Sequence, residues 1–156
     1  MPVAGVFVRE IYFRVLSSKQ GASLRAALAG HGQFGKIAKA VRRIHTSFGE
    51  RLTVERLAVE AGMSVPTFHA HFRTVTDTSP MQYLKSVRLH QARLLMLRED
   101  KTVFAACMEV GYESASQFSR EFKRLFGRSP SDEVARLKSS FSMPRIPGEQ
   151  VWVASH

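Results

Sequence analysis

The sequence predicts an all-α protein in which two helix-turn-helix subdomains are joined by a long central helix. A stretch of sequence returns about fifty residues later, each copy carries helix caps and a turn glycine at matching positions, and a capped helical segment separates the copies. The matched positions are Thr53, Ala58, Gly62, Phe68, Phe72 and Ser79-Pro80 in the first copy, and Thr102, Cys107, Gly111, Phe118, Phe122 and Ser129-Pro130 in the second. Such a repeat indicates one structural unit used twice.

Each copy is predicted to fold as helix, tight turn, helix. A threonine caps the first helix, a glycine ends it in the left-handed conformation, and a serine caps the second helix. These residues are Thr53, Gly62 and Ser64 in the first copy and Thr102, Gly111 and Ser114 in the second. Ser114 and Gln117 also form the reciprocal Ser-x-x-Gln capping pattern. We therefore place helix-turn-helix motifs at about 53–76 and 102–127, each with a second helix of the size that enters a DNA major groove.

The segment between the copies predicts a stiff connecting helix at about 80–98. Ser79 caps it, Pro80 takes the first helical position, and Gln82 completes the capping pattern. At about 1.5 Å per residue this helix is on the order of 28 Å long. Successive major grooves on one side of B-DNA lie about 34 Å apart. The helix can therefore hold two DNA-reading motifs near that spacing.

The flanks of the repeat are predicted from their periodicity. Residues 1–30 contain two short amphipathic segments, with too little apolar material to fold alone, and a linker follows. Apolar residues at helical spacing predict a further helix from Phe34 to about Phe48. After the second motif, Ser129-Pro130 opens a last helix that ends near Leu137, and we expect residues 139–156 to be a loosely ordered tail.

The second helix of each copy has an apolar stripe and an opposite stripe that is free for binding. Phenylalanines and a third apolar residue recur at spacings of four and three, so this stripe faces a core. The opposite stripe carries small residues and donors, which suit base edges and phosphates. It consists of Pro66, His69, Ala70 and Arg73 in the first copy and Ser116, Ser119, Arg120 and Lys123 in the second.

Composition favours a polyanionic partner and gives no support for catalysis. The 156 residues include 23 Lys and Arg against 13 Asp and Glu, a formal net charge of +10, although a basic balance alone often reflects only a solvated surface. Paired carboxylates, a glycine-rich phosphate loop and a nucleophile with a base are absent from the sequence, so we expect no enzyme, no cofactor and no metal ion. An alkyl-transfer repair enzyme would need several thiolates on zinc, and the chain has one cysteine.

The same features bear on location and on single residues. One cysteine forms no internal disulfide, and the sequence shows neither a secretory signal nor an apolar run of membrane-spanning length, so we expect a cytoplasmic protein without membrane contact. Cys107 is predicted to be a buried small hydrophobe. Leu94 to Leu97 is predicted to supply core for both subdomains, and Glu99-Asp100-Lys101 to form a solvated turn. His69 and His71 lie two apart on a helix and therefore do not share a metal.

Residues 34–138 resemble the DNA-binding domain of the AraC/XylS family of bacterial transcription regulators. The strongest match runs from Gly111 to Pro130, and the central helix matches through Ser79-Pro80, Tyr83-Leu84, Arg88-Leu89, Ala92 and Leu94-Leu95. The resemblance implies seven helices with homeodomain-like helix-turn-helix repeats and sequence-specific binding of double-stranded DNA. We expect an activator with RNA polymerase as a second partner, although the sequence leaves activation and repression both open. An alternative left open is a helical interaction module that binds RNA polymerase or another regulator without reading DNA.

The family pattern assigns candidate DNA-binding residues on both second helices. Arg120 suits a guanine edge or a phosphate pair, and His69 can donate or accept, whereas Pro66 and Ala70 offer apolar contact only. Arg73 and Lys123 are expected on phosphates. The full candidate set is Pro66, Thr67, His69, Ala70 and Arg73 on the first helix and Ala115, Ser116, Ser119, Arg120 and Lys123 on the second.

Residues 1–30 resemble the closing helices of the cupin-type sensor domain found in one branch of the family. The similarity rests on Val8 to Leu16, Gly21 and Leu24-Arg25. The barrel that would bind an effector is missing from the sequence, so the resemblance implies either a shortened regulator or helices kept as an N-terminal extension. A shortened regulator would lack most of the sensing and dimerisation surface. We therefore expect a monomer on an asymmetric DNA site.

Overall fold

The structure is a computed structural model that describes residues 32–142, and within that range it is entirely helical. Seven helices follow one another, and no strand occurs among the described residues. The predicted all-α fold class is therefore confirmed. The helices are α1 (Gln33–Ser47), α2 (Val54–Glu60), α3 (Val65–Thr76), α4 (Pro80–Arg98), α5 (Val103–Glu109), α6 (Ala115–Phe126) and α7 (Pro130–Phe141).

The predicted caps form at every helix of the two repeats. The N-cap side chains of Thr53, Ser64, Ser79, Thr102, Ser114 and Ser129 each accept a hydrogen bond from the backbone N–H three residues on. Gly62 and Gly111 have φ of 65° and 92°, as the left-handed turn requires. The reciprocal half of the Ser114 box is wrong, because the Gln117 side chain donates instead to Glu121 on its own helix.

The helices form two cores, and α4 contributes one half of its length to each. The first lobe consists of α1, α2, α3 and the N-terminal half of α4, which buries Tyr83, Leu84 and Val87. The second lobe consists of α5, α6, α7 and the C-terminal half of α4, which buries Leu89, Ala92 and Met96. Phe48, just after α1, packs against both cores.

The prediction that Leu94 to Leu97 serves both lobes is wrong. Met96 is buried in the second core and Leu95 packs against it, whereas Leu94 and Leu97 are half-buried. The run spans about one helix turn near the C-terminal end of α4, which lies in the second lobe, and its four side chains point around the helix axis, so only some of them meet that core. Cys107 is fully buried in the second core, as predicted.

The last helix is longer than predicted. It continues to Phe141, so the interpretation of residues 139–141 as tail is wrong. The backbone N–H of Ser142 still donates to the Lys138 carbonyl, and the hydroxyls of Ser139 and Ser140 donate to the Arg136 carbonyl. The rest of the predicted tail and the predicted segments in 1–30 lie outside the described residues.

The turn between α4 and α5 is more structured than a simple solvated turn. Asp100 has a left-handed φ of 52° and accepts a hydrogen bond from Lys138 of α7. Lys101 pairs with Glu109 at the far end of α5. Within residues 32–142, none of the helices has the length and apolarity needed to cross a bilayer.

Candidate nucleic-acid interface

The second helix of each motif, α3 in the first lobe and α6 in the second, buries one side and exposes the other. Phe68 and Phe72 of α3 and Phe118 and Phe122 of α6 are completely buried. The rings of each pair lie 5.6–5.7 Å apart, which fixes the rotation of the helix about its axis. We call α3 and α6 the reading helices and their solvent-facing sides the reading faces.

The first reading face exposes every residue predicted for it. Pro66, Thr67, His69, Ala70 and Arg73 are all exposed. The Thr67 hydroxyl accepts a hydrogen bond of 2.9 Å from Ser64, so this side chain is held at the helix N-terminus. The α3 sequence contains no acidic residue, so the face offers nothing that would repel a phosphate.

The second reading face is more basic. Ala115, Ser116, Arg120 and Lys123 are exposed, and Ser119 is half-buried. Arg124, which the sequence reasoning left out, is also exposed on α6. Its position next to Lys123 was the available signal. Within residues 32–142 no carboxylate forms an ion pair with the cations of either reading helix, namely Arg73, Arg120, Lys123 and Arg124.

The one acidic residue of α6 is turned inward and holds the helix in place. Glu121 accepts hydrogen bonds from Lys85 of α4 at 3.0 Å, from the Tyr112 hydroxyl, and from Gln117 at 3.2 Å. Burial alone would raise the pKa of Glu121, but these three bonds together bring it below its usual range. Burial, and then the bond to Glu121, raises the pKa of Tyr112, so its hydroxyl stays protonated and donating. The second reading helix is thus tied to the central helix.

In the first lobe, uncharged side chains make the corresponding link to the central helix. His71 occupies the position equivalent to Glu121, and the polar link to α4 comes instead from α1, where His45 Nε2 lies 2.7 Å from the Tyr83 hydroxyl. Burial lowers the pKa of His45 to about 4, so its ring is neutral at pH 7. Tyr83 also packs edge-on against Phe72 of the first reading helix, with ring centroids 5.7 Å apart.

Other chemistry-bearing residues do not assemble into a site. His69 is exposed and His71 half-buried, and the described part of the chain holds no group of three His, Cys, Asp or Glu that could bind a metal ion. Burial raises the pKa of the Cys107 thiol, which disfavours the reactive thiolate. The large exposed hydrophobic residues found in the structure lie off both reading faces, on α2, α5 and α7, and are Val59, Phe104, Met108 and Phe141.

Comparison with known proteins agrees with this geometry. A family model described as a helix-turn-helix domain matches residues 57–136, which include both reading helices. The regulatory protein SoxS of Salmonella typhimurium is 35% identical over 86 residues, which cover 55% of this chain and 80% of SoxS. The chain belongs to the AraC family.

Two further relatives extend the comparison of this AraC-family chain. The RCS-specific transcriptional activator RclR of Escherichia coli K12 is 38% identical over 90 residues, and the match covers 58% of this chain but only 32% of RclR. The crystal structure of the DNA-binding domain of AdpA, a global transcriptional factor in complex with a target DNA, superposes with a TM-score of 0.65 at 30% identity. That superposition covers 69% of this chain and 97% of the AdpA chain.

Proposed function

We propose that this chain is a sequence-specific DNA-binding regulator of transcription whose two reading helices enter adjacent major grooves on one side of the duplex. The observation that carries the proposal is the pair of exposed reading faces. Each lies opposite two fully buried phenylalanines, neither exposes a carboxylate, and their four cations have no acidic partner among the described residues. A basic surface without carboxylates favours a polyanion, and an exposed helix has the width that a DNA major groove admits.

The proposed contacts follow from the chemistry of each side chain. Arg120 reads a guanine edge through its planar fork, and His69 reads a base in the first groove. Arg73 and Lys123 bind phosphates and fix the register of the protein on the duplex. We add Arg124 as a further phosphate contact. The remaining candidates, Pro66, Thr67, Ala70, Ala115, Ser116 and Ser119, make short-range contacts to bases and sugars.

The relatives support this proposal and suggest its direction. The AdpA domain is described in complex with a target DNA, and RclR is named a transcriptional activator. We propose activation, in the cytoplasm, with RNA polymerase as the second partner. The rival function, a module that binds another protein without reading DNA, would place an apolar patch on the reading faces, and the exposed hydrophobic residues lie elsewhere.

Two finer features belong to the same proposal. Residues 1–30 are proposed to derive from a cupin-type sensor domain, on their resemblance to its closing helices. The chain is proposed to bind as a monomer on an asymmetric site. A footprint on a selected duplex, with the protein-to-DNA ratio measured by light scattering, tests the stoichiometry, and two chains per site would contradict the monomer.

The function is tested by selecting preferred duplexes from a random pool and measuring affinity against salt. Affinity should fall as salt rises, because each phosphate contact releases counterions. Affinity for a selected duplex that is insensitive to salt, or no selected sequence at all, would refute the proposal.

Two matched variants separate base reading from phosphate binding. Arg120→Ala should cost on the order of 1–3 kcal/mol on the selected duplex and relax preference at one base position. Arg73→Ala should weaken all duplexes about equally and make the salt dependence shallower. An unchanged base preference in Arg120→Ala would show that Arg120 contacts a phosphate and not a base.

A further inference from the structure

The two lobes touch each other directly, in addition to sharing α4. Gly49 lies in the loop after α1, and Gly111 lies in the turn of the second helix-turn-helix motif. A Cβ added at Gly49 would sit 3.0 Å from the Glu109 carbonyl oxygen, and one added at Gly111 would sit 3.0 Å from the Gly49 carbonyl oxygen. The backbones of the two lobes are therefore so close that a side chain at either position would force the neighbouring backbone to shift.

Arg88 of the central helix closes this contact. Its Nε donates to the Phe48 carbonyl at 2.7 Å, and its Nη2 donates to the Glu50 carbonyl at 2.9 Å. The same guanidinium lies 3.1 Å from the Cβ position of Gly111. Burial lowers the pKa of Arg88, while Tyr112 and Glu113 of the second lobe raise it. A residue of α4 thus binds the loop of one lobe against the turn of the other.

The first motif has no such contact, although its turn contains the same glycine. Among residues 32–142, a Cβ added at Gly62 would meet nothing within 4 Å, so the contacts of this range require Gly62 only for its left-handed backbone. Gly111 is needed for the left-handed backbone and for the contact with the other lobe. The second turn is also one residue longer, and that residue, Glu113, pairs with Arg51 of the first lobe at 3.4 Å.

We propose that this joint, formed by Phe48, Gly49, Glu50, Arg88, Glu109 and Gly111, fixes the angle between the two reading helices and so selects the spacing of the two half-sites on DNA. The inference rests on the proposed DNA-reading function. A joint that forms on folding removes the relative motion of the two lobes before they bind DNA. This favours one spacing of the two half-sites and disfavours the others. Its members are positioning residues and do not contact DNA.

The first experiment measures the joint without DNA. Spin labels at Thr74→Cys and Ser131→Cys, exposed sites of the first and second lobes, report the distance between the lobes in a Cys107→Ala background. The Gly49 backbone is not left-handed, so Gly49→Leu disturbs only the joint, and Gly49→Ala and Arg88→Met are milder variants. Arg51→Ala is the control, because its pair with Glu113 is almost fully exposed.

We expect one narrow distance distribution in the parent and in Arg51→Ala, and a shifted or broadened distribution in Gly49→Leu and Arg88→Met. Amide spectra of each lobe verify that both cores stay folded. Should Gly49→Leu fail to fold, Gly49→Ala and Arg88→Met decide the question. Folded joint variants with the parent distribution would overturn the proposal.

The second experiment measures spacing on DNA. Selected duplexes are rebuilt with the two half-sites moved apart or together by one base pair. The parent should lose about tenfold or more in affinity on each, a cost comparable to a mismatched base pair. Gly49→Leu and Arg88→Met should bind the three spacings within about threefold of one another and keep the parent affinity for a single half-site.

The outcomes separate the joint from the function. Joint variants that keep the parent's spacing discrimination overturn the inference, even where the distance between labels has changed. A parent that selects no duplex refutes the proposed function, and the spacing role with it. The label distances would still report whether the joint holds the lobes together.

Discussion

The two lobes share one plan of helix, turn and helix, but different chemistry holds their reading helices. In the second lobe a carboxylate of the reading helix does this, because Glu121 is bonded to Lys85 and Tyr112, and a second carboxylate, Glu133 of α7, is buried among arginines nearby. In the first lobe neutral and aromatic groups do it, through the contact between His45 and Tyr83 and the packing of Tyr83 on Phe72. The repeat therefore preserves its turn geometry and caps, while the supporting contacts have diverged.

The two reading faces also differ in charge. The first face carries one cation, Arg73, and the second carries three, Arg120, Lys123 and Arg124. Since phosphate binding supplies much of the affinity for DNA and its dependence on salt, the second lobe should contribute most of both. The first lobe then refines the choice of site through His69 and its small neighbours.

The sharpest test of the difference is acid, which should weaken the first lobe before the second. His45 is neutral in the folded state because burial lowers its pKa to about 4, against 6.5 for an ordinary histidine. His45 of the unfolded chain binds a proton near pH 6.5, whereas His45 of the folded chain binds one only near pH 4. Stability therefore falls as pH decreases from about 6.5 to 4. The expected loss is on the order of 3 kcal/mol, seen as lower amide protection in α1 and α3, measured against the intrinsic exchange rate at each pH.

Two variants control the acid experiment. His45→Gln can still bond to Tyr83 but does not titrate, so the acid loss in the first lobe should disappear. His69→Gln alters an exposed histidine of the same lobe and should leave the loss in place. Equal acid sensitivity of wild type and His45→Gln would contradict the assignment.

The next largest effect should come from the buried carboxylate of the second lobe. Glu133 is 2% exposed and lies 3.0–3.7 Å from the guanidinium groups of Arg93, Arg128 and Arg136. Glu133→Gln removes the charge without changing the volume, and should cost about 1–3 kcal/mol because three cations lose their partner. Chemical denaturation measures the loss of unfolding free energy. The control Asp132→Asn, at the exposed neighbouring residue, should cost only about a few tenths of a kcal/mol.

The pH dependence of this contact separates the lobes further. The bonds from Arg136, and the charges of Arg93 and Arg128, hold the pKa of Glu133 below its usual value of 4.5, although burial opposes them. Its stabilisation is complete above about pH 4.5 and is lost as pH falls through the lower folded pKa. Amide protection in α7, measured against the intrinsic exchange rate, should thus persist at the pH where α1 has already lost its protection. Simultaneous acid loss in both lobes would show that Glu133 does not act in this way.

The smallest predicted effect comes from the C-terminus of each reading helix. The C-cap that follows α3 is Asp77 with φ of 58°, and the C-cap that follows α6 is the equivalent Gly127 with φ of 80°. Asp77→Gly should stabilise the first lobe by about 0.5–1 kcal/mol, since glycine adopts the left-handed region without a steric cost. The reciprocal Gly127→Asp should destabilise the second lobe by a similar amount. Thermal unfolding measures both, and opposite signs are required.

Much of the fold could be predicted because it is encoded locally. The caps at Thr53, Ser64, Thr102 and Ser114, and the left-handed turn glycines, depend on neighbours within four residues. The period of the buried phenylalanines likewise determines which side of each reading helix meets water. The fold class is therefore confirmed, and the DNA contacts of the exposed residues stay predictions.

Most of what the sequence did not reveal depends on contacts between distant residues. Gln117 donates to Glu121, four residues on, but the position of Glu121 itself depends on Lys85, which is 36 residues away. Arg88 of the joint donates to carbonyls that are 38 and 40 residues away from it in the sequence. The periodicity of apolar residues does not predict contacts over such a distance. The end of α7 was mispredicted because Ser139 and Ser140 have no strong helix preference.

The outward side chains of α6 have a consequence for how such a protein changes over time. Arg120, Lys123 and Arg124 form no ion pair inside the described structure, while the helix is held by Phe118, Phe122 and Glu121 on its other side. Substitution of the outward set leaves the scaffold intact. A lineage can therefore acquire new operators one codon at a time, without passing through unstable intermediates.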